Sequence, residues 1–457
     1  MLAPVAGEDS SRRSLVDCSA LVIVLVAAVG GSVPRLPIGM NIQGLSYWSE
    51  SPYLDPMKGS GEWMTYSPDL EAWETGLIDS IPMRSDDYPR SVPRRVNGVR
   101  QCVRIMLNNC REGRYVATWK GKGTLEWEGG AQASEKGGRT FVAFTGDCGH
   151  AWMQVAASDS LDPIHDIRLV PVEWESSDTV PLFDPAFVRG LRPFHALRFM
   201  DWMNTNGSTQ SRWSERAKPT DRSWGLGRGM PIEHAIALSN ALGADAWFCI
   251  PHRADDDYIR NFARLVRDSL KPGLKAYVEY SNEIWNWGFE QSHFVGQNGR
   301  EFWEGETAFV SADSIVRKLG AVGSKYCQDP ESYCHPEKDA WMMDRTFRIW
   351  KSVFGDADTA RLVRVATAQH AWIDNTRRIL EFLFEDGAGA DAISVGGYFN
   401  FEESSHLAWN AMDPKSVTAK MVLDGAGAAF DTTTAAWTRA SARYARQFHL
   451  PYLVYEG

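Results

Sequence analysis

Two glutamates stand at the ends of short β-type runs, where their side chains could do chemistry together. Glu283 ends the run Ala276–Glu283, and Glu456 ends the run Pro451–Glu456. Two carboxyl groups, one protonated and one ionised, can cleave a glycosidic bond, because the acid protonates the departing oxygen and the carboxylate attacks the anomeric carbon. In a retaining mechanism the two groups lie about 5 to 5.5 Å apart. Two separate strands could supply that spacing.

Further residues lie at or just past a predicted strand end or beside Glu283, and the sequence predicts that they contact a substrate. Indole faces pack well on the C–H faces of sugar rings, so tryptophans are included, although each tryptophan alone is more often a core residue. The plainer interpretations of the others are an ion pair of Arg198 with Asp201 or another carboxylate, a satisfied loop histidine, or a packing role. The predicted contacts are Asn282, Arg198, His252, Tyr398, Trp285, Trp48 and His370.

The composition favours a neutral substrate. The chain has 457 residues, a formal net charge of -10 and 19 Trp. A phosphate-binding surface normally carries a basic patch, so we expect no nucleic-acid partner. We expect a poly- or oligosaccharide as the partner, no membrane span, no cofactor and a monomer. The chain is longer than the roughly 250–300 residues that a single hydrophobic core usually spans, so we predict more than one domain.

The N-terminal residues 1–32 are typical of a secretory leader. Arg12 and Arg13 precede an apolar run. The run is too short to span a bilayer, which takes a helix of about 20 residues. A mis-assigned start or a buried strand is the alternative. Export would permit one or two disulfides among the seven Cys, with Cys327 and Cys334 bracketing a short loop, whereas free buried thiols remain the alternative. The cysteines show no zinc-site spacing.

The pattern along the chain divides it into three parts after the leader. Residues 36–89 contain a first extended segment and a polar loop, 90–175 hold short alternating runs typical of a small inserted antiparallel β domain, and 184–457 alternate helices with apolar strands. Such alternation predicts parallel strands covered on both faces, as in a doubly wound open sheet or a (β/α)8 TIM barrel.

Two features favour the barrel over the doubly wound sheet. The first strand is not followed by Gly-x-Gly-x-x-Gly, and polar residues recur at strand ends, which meet at one face of a barrel. We count seven strands. The prediction is therefore a (β/α)8 barrel whose eighth strand is missing from this chain, truncated after strand seven.

The string Tyr277–Asn286, with Glu456 on a later strand, resembles the large clan of retaining glycoside hydrolases built on (β/α)8 barrels. It is also similar to a motif of bacterial proteins described as cellulose-binding or cellulase-like. The resemblance covers about 184–457 and the first strand. It implies an Asn-Glu acid/base at the end of strand four and a nucleophilic Glu at the end of strand seven, which correspond to Glu283 and Glu456.

The resemblance also implies roles for the surrounding residues. Asn282 would hydrogen-bond the sugar 2-hydroxyl, and Arg198 would hold the charge of the nucleophile. His252 would contact sugar hydroxyls, and Tyr398 would donate to the nucleophile. The implied activity is hydrolysis of β-linked glycans by double displacement.

Two other function classes remain open at this stage. The chain could be a non-catalytic carbohydrate-binding protein, since the β-rich region contains Trp119, Trp127 and Trp152. A metal-dependent hydrolase using His252, His370 and the acidic run 255–257 is the third hypothesis, although no ligand spacing supports it.

Overall fold

The computed structural model describes residues 36–46, 52–70, 72–107, 111–145, 151–177, 179–296, 335–385, 387–399, 401 and 403–457. The predicted leader 1–32, Trp48 and the pair Cys327 and Cys334 lie outside these ranges. Cys102 and Cys249 are buried free thiols. None of the helices in the described part has both the length and the apolar character that a membrane crossing requires.

The strands fall into three groups along the chain. The first group is β1 alone (Leu36–Asn41). The second group forms antiparallel sheets: β2 (Met64–Tyr66), β3 (Arg94–Val96), β4 (Val99–Met106), β5 (Gly113–Lys120), β6 (Gly123–Gly129), β7 (Ala131–Lys136), β8 (Arg139–Phe144), β9 (Ala151–Ser158) and β10 (His165–Pro171). The third group joins β1: β11 (Phe194–Arg198), β12 (Asp245–Ile250), β13 (Ala276–Tyr280), β14 (Leu362–Ala368), β15 (Ala392–Val395) and β16 (Tyr452–Val454).

Helices alternate with the strands of the third group. Two of them begin after an aspartate that caps the helix: Asp184 accepts from the N–H of Ala186, and Asp255 accepts from the N–H of Tyr258. The helices are α1 (Pro185–Leu191), α2 (Ile232–Leu242), α3 (Asp256–Ser269), α4 (Glu290–Gly296), α5 (His335–Asp358), α6 (Ile373–Glu385), α7 (Glu403–Asn410), α8 (Ala419–Ala429) and α9 (Ala435–Gln447).

The parallel sheet has seven strands in the order β1-β11-β12-β13-β14-β15-β16. Every neighbouring pair is parallel, and all six residues of β12 are buried, as expected for a sheet covered on both faces. Because the order follows the chain without a crossover, the carboxyl ends of all seven strands share one edge. The sheet curves as a half-barrel, so that Asn41 at the end of β1 donates to the backbone oxygen of Tyr455 beyond β16 at 3.2 Å.

The prediction of a (β/α)8 barrel is wrong. β1 pairs only with β11 and β16 pairs only with β15, and the described residues supply no eighth parallel strand between these two edges. The fold is a mixed α/β arrangement of an open seven-stranded parallel sheet and separate antiparallel sheets. Helix–strand alternation predicts parallel pairing, but closure depends on backbone pairing at the two edges of the sheet, which the alternation does not encode.

The antiparallel strands form two sheets around a second core. One sheet has the order β10-β5-β8-β7, and the other has the order β2-β4-β9-β6 with β3 paired to β4. Val103 and Met153 from one sheet and Val142 and Leu169 from the other are fully buried between them. Met57 belongs to the same core, so this part of the chain begins well before residue 90.

An arginine fastens the two parts of the molecule to each other. Arg222, in the long loop between β11 and α2, donates to the carboxylate of Asp87 at 2.9 Å, to Ser60 Oγ at 3.0 Å and to the Gly61 oxygen at 3.1 Å. Its side chain is almost completely buried. The antiparallel part is therefore held against the loops at the strand-end edge of the parallel sheet.

Candidate active site

The carboxyl ends of β1, β11, β13 and β16 bring Asn41, Arg198, Glu283 and Glu456 to one place. The backbone leaves β13 through two residues in the left-handed region, Ser281 at φ 55° and Glu283 at φ 42°. Residues with side chains adopt this conformation rarely, and it costs about 1–3 kcal/mol where the surroundings enforce it. The N–H of Ser281 still donates to the Ile250 oxygen at 2.9 Å, so the strained turn is anchored to β12.

Both oxygens of the Glu283 carboxylate accept a hydrogen bond. Tyr455 Oη donates to Oε1 at 2.7 Å, and Asn286 Nδ2 donates to Oε2 at 2.8 Å. Burial, followed by the adjacent Glu283, raises the pKa of Tyr455, so the phenol keeps its proton and remains a donor. Because Tyr455 directly precedes Glu456, this bond ties the two glutamate-bearing strand ends together.

The Glu456 carboxylate is held through a single oxygen. Arg198 Nη1 lies 3.3 Å and Asn41 Nδ2 lies 3.1 Å from Oε2. Burial raises the pKa of Glu456, Arg198 opposes the rise, and the charge of Glu283 adds to it. The two glutamates are therefore near enough for the charge of Glu283 to act on Glu456.

Arg198 is the centre of a buried polar network that the sequence pattern did not reveal in full. Its main partner is Glu279 rather than Asp201: Nε donates to Oε2 at 3.1 Å, and Nη2 lies 3.0 Å from both Glu279 oxygens. Trp247 Nε1 at 2.8 Å and Cys249 Sγ at 3.3 Å complete the surroundings of Glu279. Burial alone would lower the pKa of Arg198, but Cys249, Glu279 and Glu456 around it raise it.

Glu279 was missed because it lies inside a strand rather than at its end. The signal was present, since an acid in the run Ala276–Tyr280 interrupts otherwise apolar and aromatic residues. The side chain is completely buried, and an acid at such a position needs a cationic partner. A polar strand residue pointing into the core of the sheet is therefore as informative as one at the strand end.

Asn282 is fixed by hydrogen bonds at both ends of its amide. Its Oδ1 accepts from Arg198 Nη2 at 2.9 Å, and its Nδ2 donates to Asn206 Oδ1 at 3.0 Å. Gln291 Nε2 also donates to Asn206 Oδ1, at 2.6 Å. These contacts orient the Asn282 amide beside Glu283 and leave one Nδ2 proton for another acceptor.

A cleft of about 590 Å³ opens in front of Glu283. Trp287 and Tyr398 are about half exposed, at 47% and 48%, and Trp372 is 37% exposed. Aromatic faces of this kind, beside two polar groups, suit a ligand with alternating apolar and hydroxylated surfaces. The lining residues are Glu283, Trp285, Asn286, Trp287, Gln369, His370, Ala371, Trp372, Tyr398, Trp437 and Tyr455.

Three of the predicted contact residues line this cleft, but their contacts differ from those predicted. They are Tyr398, Trp285 and His370. Tyr398 packs edge-on against Tyr455, with ring centroids 6.5 Å apart, and Tyr455 rather than Tyr398 reaches a catalytic candidate. Trp285 also packs against Tyr455, with ring centroids 6.3 Å apart. His370 bonds Thr438 Oγ1 at 3.1 Å, and burial lowers its pKa.

His252 is placed elsewhere, and Trp48 lies outside the described residues. The His252 ring packs edge-on against Phe294 at 5.1 Å and is 1% exposed. Burial, and then the neighbouring Arg253, lower its pKa to about 3. The ring is therefore neutral, and it is not among the residues that line the cleft.

Two cleft residues carried too weak a signal to be singled out from the sequence. Trp372 follows the end of β14. Trp437 projects from α9, where an aromatic residue resembles any packing residue of an amphipathic helix.

Within the described ranges no three His, Cys, Asp or Glu side chains are grouped to hold a metal ion. Comparison with known protein families, with curated proteins and with solved structures found no match to this chain.

Proposed function

We propose that the chain is a retaining glycoside hydrolase that cleaves β-linked glycans, with Glu283 as the acid/base and Glu456 as the nucleophile. The supporting observation is the difference between the hydrogen-bond partners of the two carboxylates. Both lie at the same edge of the parallel sheet, and each is held in a way that suits one of the two roles.

The partners of Glu283 tolerate both of its protonation states. A phenol hydroxyl can donate or accept, so Tyr455 donates to the carboxylate and can accept from a protonated Oε1. Asn286 Nδ2 would continue to donate to Oε2, the carbonyl oxygen of the acid form. An acid that becomes a base in the second half of a double displacement needs this exchange.

The partners of Glu456 suit a group that must stay ionised. The guanidinium of Arg198 and the amide Nδ2 of Asn41 only donate, and both address Oε2. A proton on Oε2 would break both contacts. The other oxygen, Oε1, is left for attack on the sugar. Burial raises the pKa of Glu456, and the positive charge of Arg198 opposes that rise.

The cleft supports a glycan as the substrate. Trp287, Trp372 and Tyr398 offer partly exposed faces to sugar rings, and Glu283 lies among them. The net charge of -10 disfavours a polyanionic chain. A neutral β-linked glycan, as in a cellulase or β-glucanase, fits these properties.

The test replaces each carboxylate by its amide and measures two steps separately. With a neutral β-glucan, E283Q and E456Q each lose turnover by at least about a hundredfold, the lower range for one acid–base group. With a dinitrophenyl β-glycoside, whose leaving group needs no proton, E283Q releases a rapid burst of phenolate and then stalls, whereas E456Q shows no burst. The matched control is E173Q, an exposed glutamate of the antiparallel part, which retains full turnover. Undiminished hydrolysis by E283Q or E456Q would refute the proposal.

A non-catalytic carbohydrate-binding protein is the second candidate. It is favoured by one observation: the paired contacts of Arg198 go to Glu279, so that Glu456 keeps only one contact with Arg198, at 3.3 Å, and has a raised pKa. Retardation of the parent protein by a neutral glucan, with no reducing ends released over days, would identify this function.

A further inference from the structure

A second cluster of aromatic and charged residues lies on the antiparallel part, away from the cleft. Alternation along β4 and β9 buries Val103 and Met153 in the core and turns Arg104, Trp152 and Gln154 to the opposite face. The register places Arg104 opposite Gln154, Gln154 opposite Glu126, and Trp152 opposite Glu128. We call this the Arg104 face. Its residues are Tyr66, Trp73, Arg104, Glu126, Glu128, Trp152 and Gln154, none of which lines the cleft.

Arg104 is covered by rings and has no acceptor within the described part of the chain. Its guanidinium carbon lies 4.1 Å from the centroid of the Tyr66 ring and 4.5 Å from that of Trp73. The residue is 8% exposed, and its Nε is buried without a hydrogen-bond partner among the described atoms. A buried cation with unused donors lowers stability unless something else accepts them. The pair of rings holds the donors in place for an acceptor from outside.

Apolar faces and fixed acceptors lie beside these donors. Trp73 is 46% exposed and meets Trp152 edge-to-face, with centroids 4.9 Å apart. Glu128 accepts from Trp152 Nε1 at 3.2 Å and from Gln154 Nε2. These bonds set the position of the Trp152 ring and of the exposed Glu128 carboxylate. The Arg104 face therefore combines a stacking surface with both donors and acceptors.

The mixture of charges decides which ligand chemistry fits. The charge of Glu126 acts to raise the pKa of Tyr66, and the charge of Glu128 acts to raise the pKa of Arg104, so both carboxylates are near this face. They would repel a polyanion. Sugar hydroxyls can accept from the guanidinium and donate to Glu128, while a ring stacks on Trp73. We propose that the Arg104 face binds an uncharged polysaccharide chain, as a second site separate from the cleft.

The contacts also correct the simpler idea that the tryptophans of the β-rich region form one binding surface. Trp127 belongs to the core of the antiparallel part, and Trp119 packs against that core. Only Trp152 of the three named from the sequence lies on the Arg104 face. Trp73, which contributes the most exposed ring, comes from the loop after β2.

Affinity electrophoresis of the full chain tests the site without any need for hydrolysis. The E283Q/E456Q variant, which carries a net charge near -8 because two carboxylates are removed from -10, migrates toward the anode in native gels. The gels contain hydroxyethylcellulose, barley β-glucan, xylan or glucomannan, and polygalacturonate or heparin as anionic probes. We expect retardation by at least one neutral polymer, weakened about tenfold by W73A. The matched control L161A removes another exposed apolar side chain of the same part of the molecule, 93% exposed, and migrates like its parent.

A second variant separates binding from folding. R104M keeps an apolar side chain between Tyr66 and Trp73 but removes every donor, so retardation weakens while the melting temperature is maintained. A structural role for Arg104 predicts a lower melting temperature with unchanged retardation.

W372A measures how much the cleft contributes to the mobility shift. Equal retardation of W73A and its parent, no retardation by any neutral polymer, or retardation by the anionic polymers alone would each overturn the proposal. Because mobility is measured in a variant lacking both catalytic carboxylates, the outcome is independent of whether the chain hydrolyses glycans.

Discussion

Two of the buried arginines, Arg198 and Arg104, have contrasting surroundings. Arg198 is 3% exposed and donates to Glu279, Asn282, Asn41 and Glu456. Arg104 is 8% exposed and is held by two aromatic rings, with no hydrogen-bond acceptor in the described residues. Every nitrogen of the Arg198 guanidinium donates to another side chain, whereas the Arg104 guanidinium donates to none of the described residues.

The difference shows how a buried charge can serve two purposes. At Arg198 the protein uses the cation to set the position and the protonation of other side chains. At Arg104 the cation meets two ring faces and no hydrogen-bond acceptor of the described residues. Donors that the fold leaves without an acceptor are better explained by a ligand, and the two sites can be compared directly by experiment.

The largest contrast is expected in stability. R198M leaves Glu279 buried without its cation, which lowers the free energy of unfolding by about 3–5 kcal/mol. R104M removes a buried charge that lacks a hydrogen-bond acceptor, and it removes two ring contacts. These effects oppose each other, so its stability stays within about 1 kcal/mol of the parent. Urea denaturation of both variants at pH 7 measures the difference. Equal losses would show that Arg104 is as much a part of the fold as Arg198.

The next effect concerns the hydrogen bond that joins the ends of β13 and β16. Y455F removes the donor to Glu283 Oε1 but keeps the ring against Trp285 and Tyr398. A hydrogen bond to a charged group contributes about 1.5–3 kcal/mol, so hydrolysis of a β-glucan should slow by at least about tenfold. Y444F, which removes a phenol hydroxyl on α9, is the control and keeps its rate. A rate for Y455F equal to that of the parent would contradict the role given to this bond.

The strand positions could be predicted from the sequence, because apolar runs between helical patterns leave few alternatives. The meeting of Glu283, Arg198 and Glu456 followed from parallel pairing, since those residues follow β13, end β11 and follow β16. Closure into a barrel could not be predicted, because it depends on how β1 and β16 face each other across the whole sheet.

Side-chain direction is the other property that the sequence did not encode. His252 and Tyr398 both follow strand ends, yet one ring turns into the core beside Phe294 and the other reaches the cleft. The hydroxyl that contacts Glu283 comes from Tyr455 instead, because packing between neighbouring strand ends decides which phenol reaches the carboxylate. Glu279 and Asn206 escaped notice for a similar reason, since their importance follows from Arg198 and Asn282 in three dimensions.

A smaller effect is expected in the pH dependence of the reaction. The charge of Glu279 is one of the causes that raise the pKa of Glu456, after burial and Glu283. E279Q removes that charge, so the pKa of Glu456 falls and the carboxylate stays ionised at lower pH. The acidic limb of kcat/KM therefore moves to lower pH, by up to about one unit.

The control for this shift is a second buried acid that is paired with an arginine. Glu337 accepts from Arg378 Nε at 2.7 Å and is 4% exposed, but it lies on α5 and is not among the residues that line the cleft. E337Q should lower stability without moving the acidic limb. A limb that stays in place in E279Q, measured below its melting temperature, would mean that Glu456 does not set it.

The smallest effect measures how the Arg104 face is assembled. Trp73 lies over the guanidinium of Arg104, and a cation–π contact at a partly exposed site contributes about 0.5–1 kcal/mol. A double-mutant cycle of W73A, R104M and the combined variant, followed by urea denaturation, should give a coupling energy in this range. The coupling removes the contributions that each side chain makes alone, including the area that Trp73 buries. A coupling near zero would mean that Trp73 is not held over the guanidinium in solution, and the stacking surface would then have to form when the ligand binds.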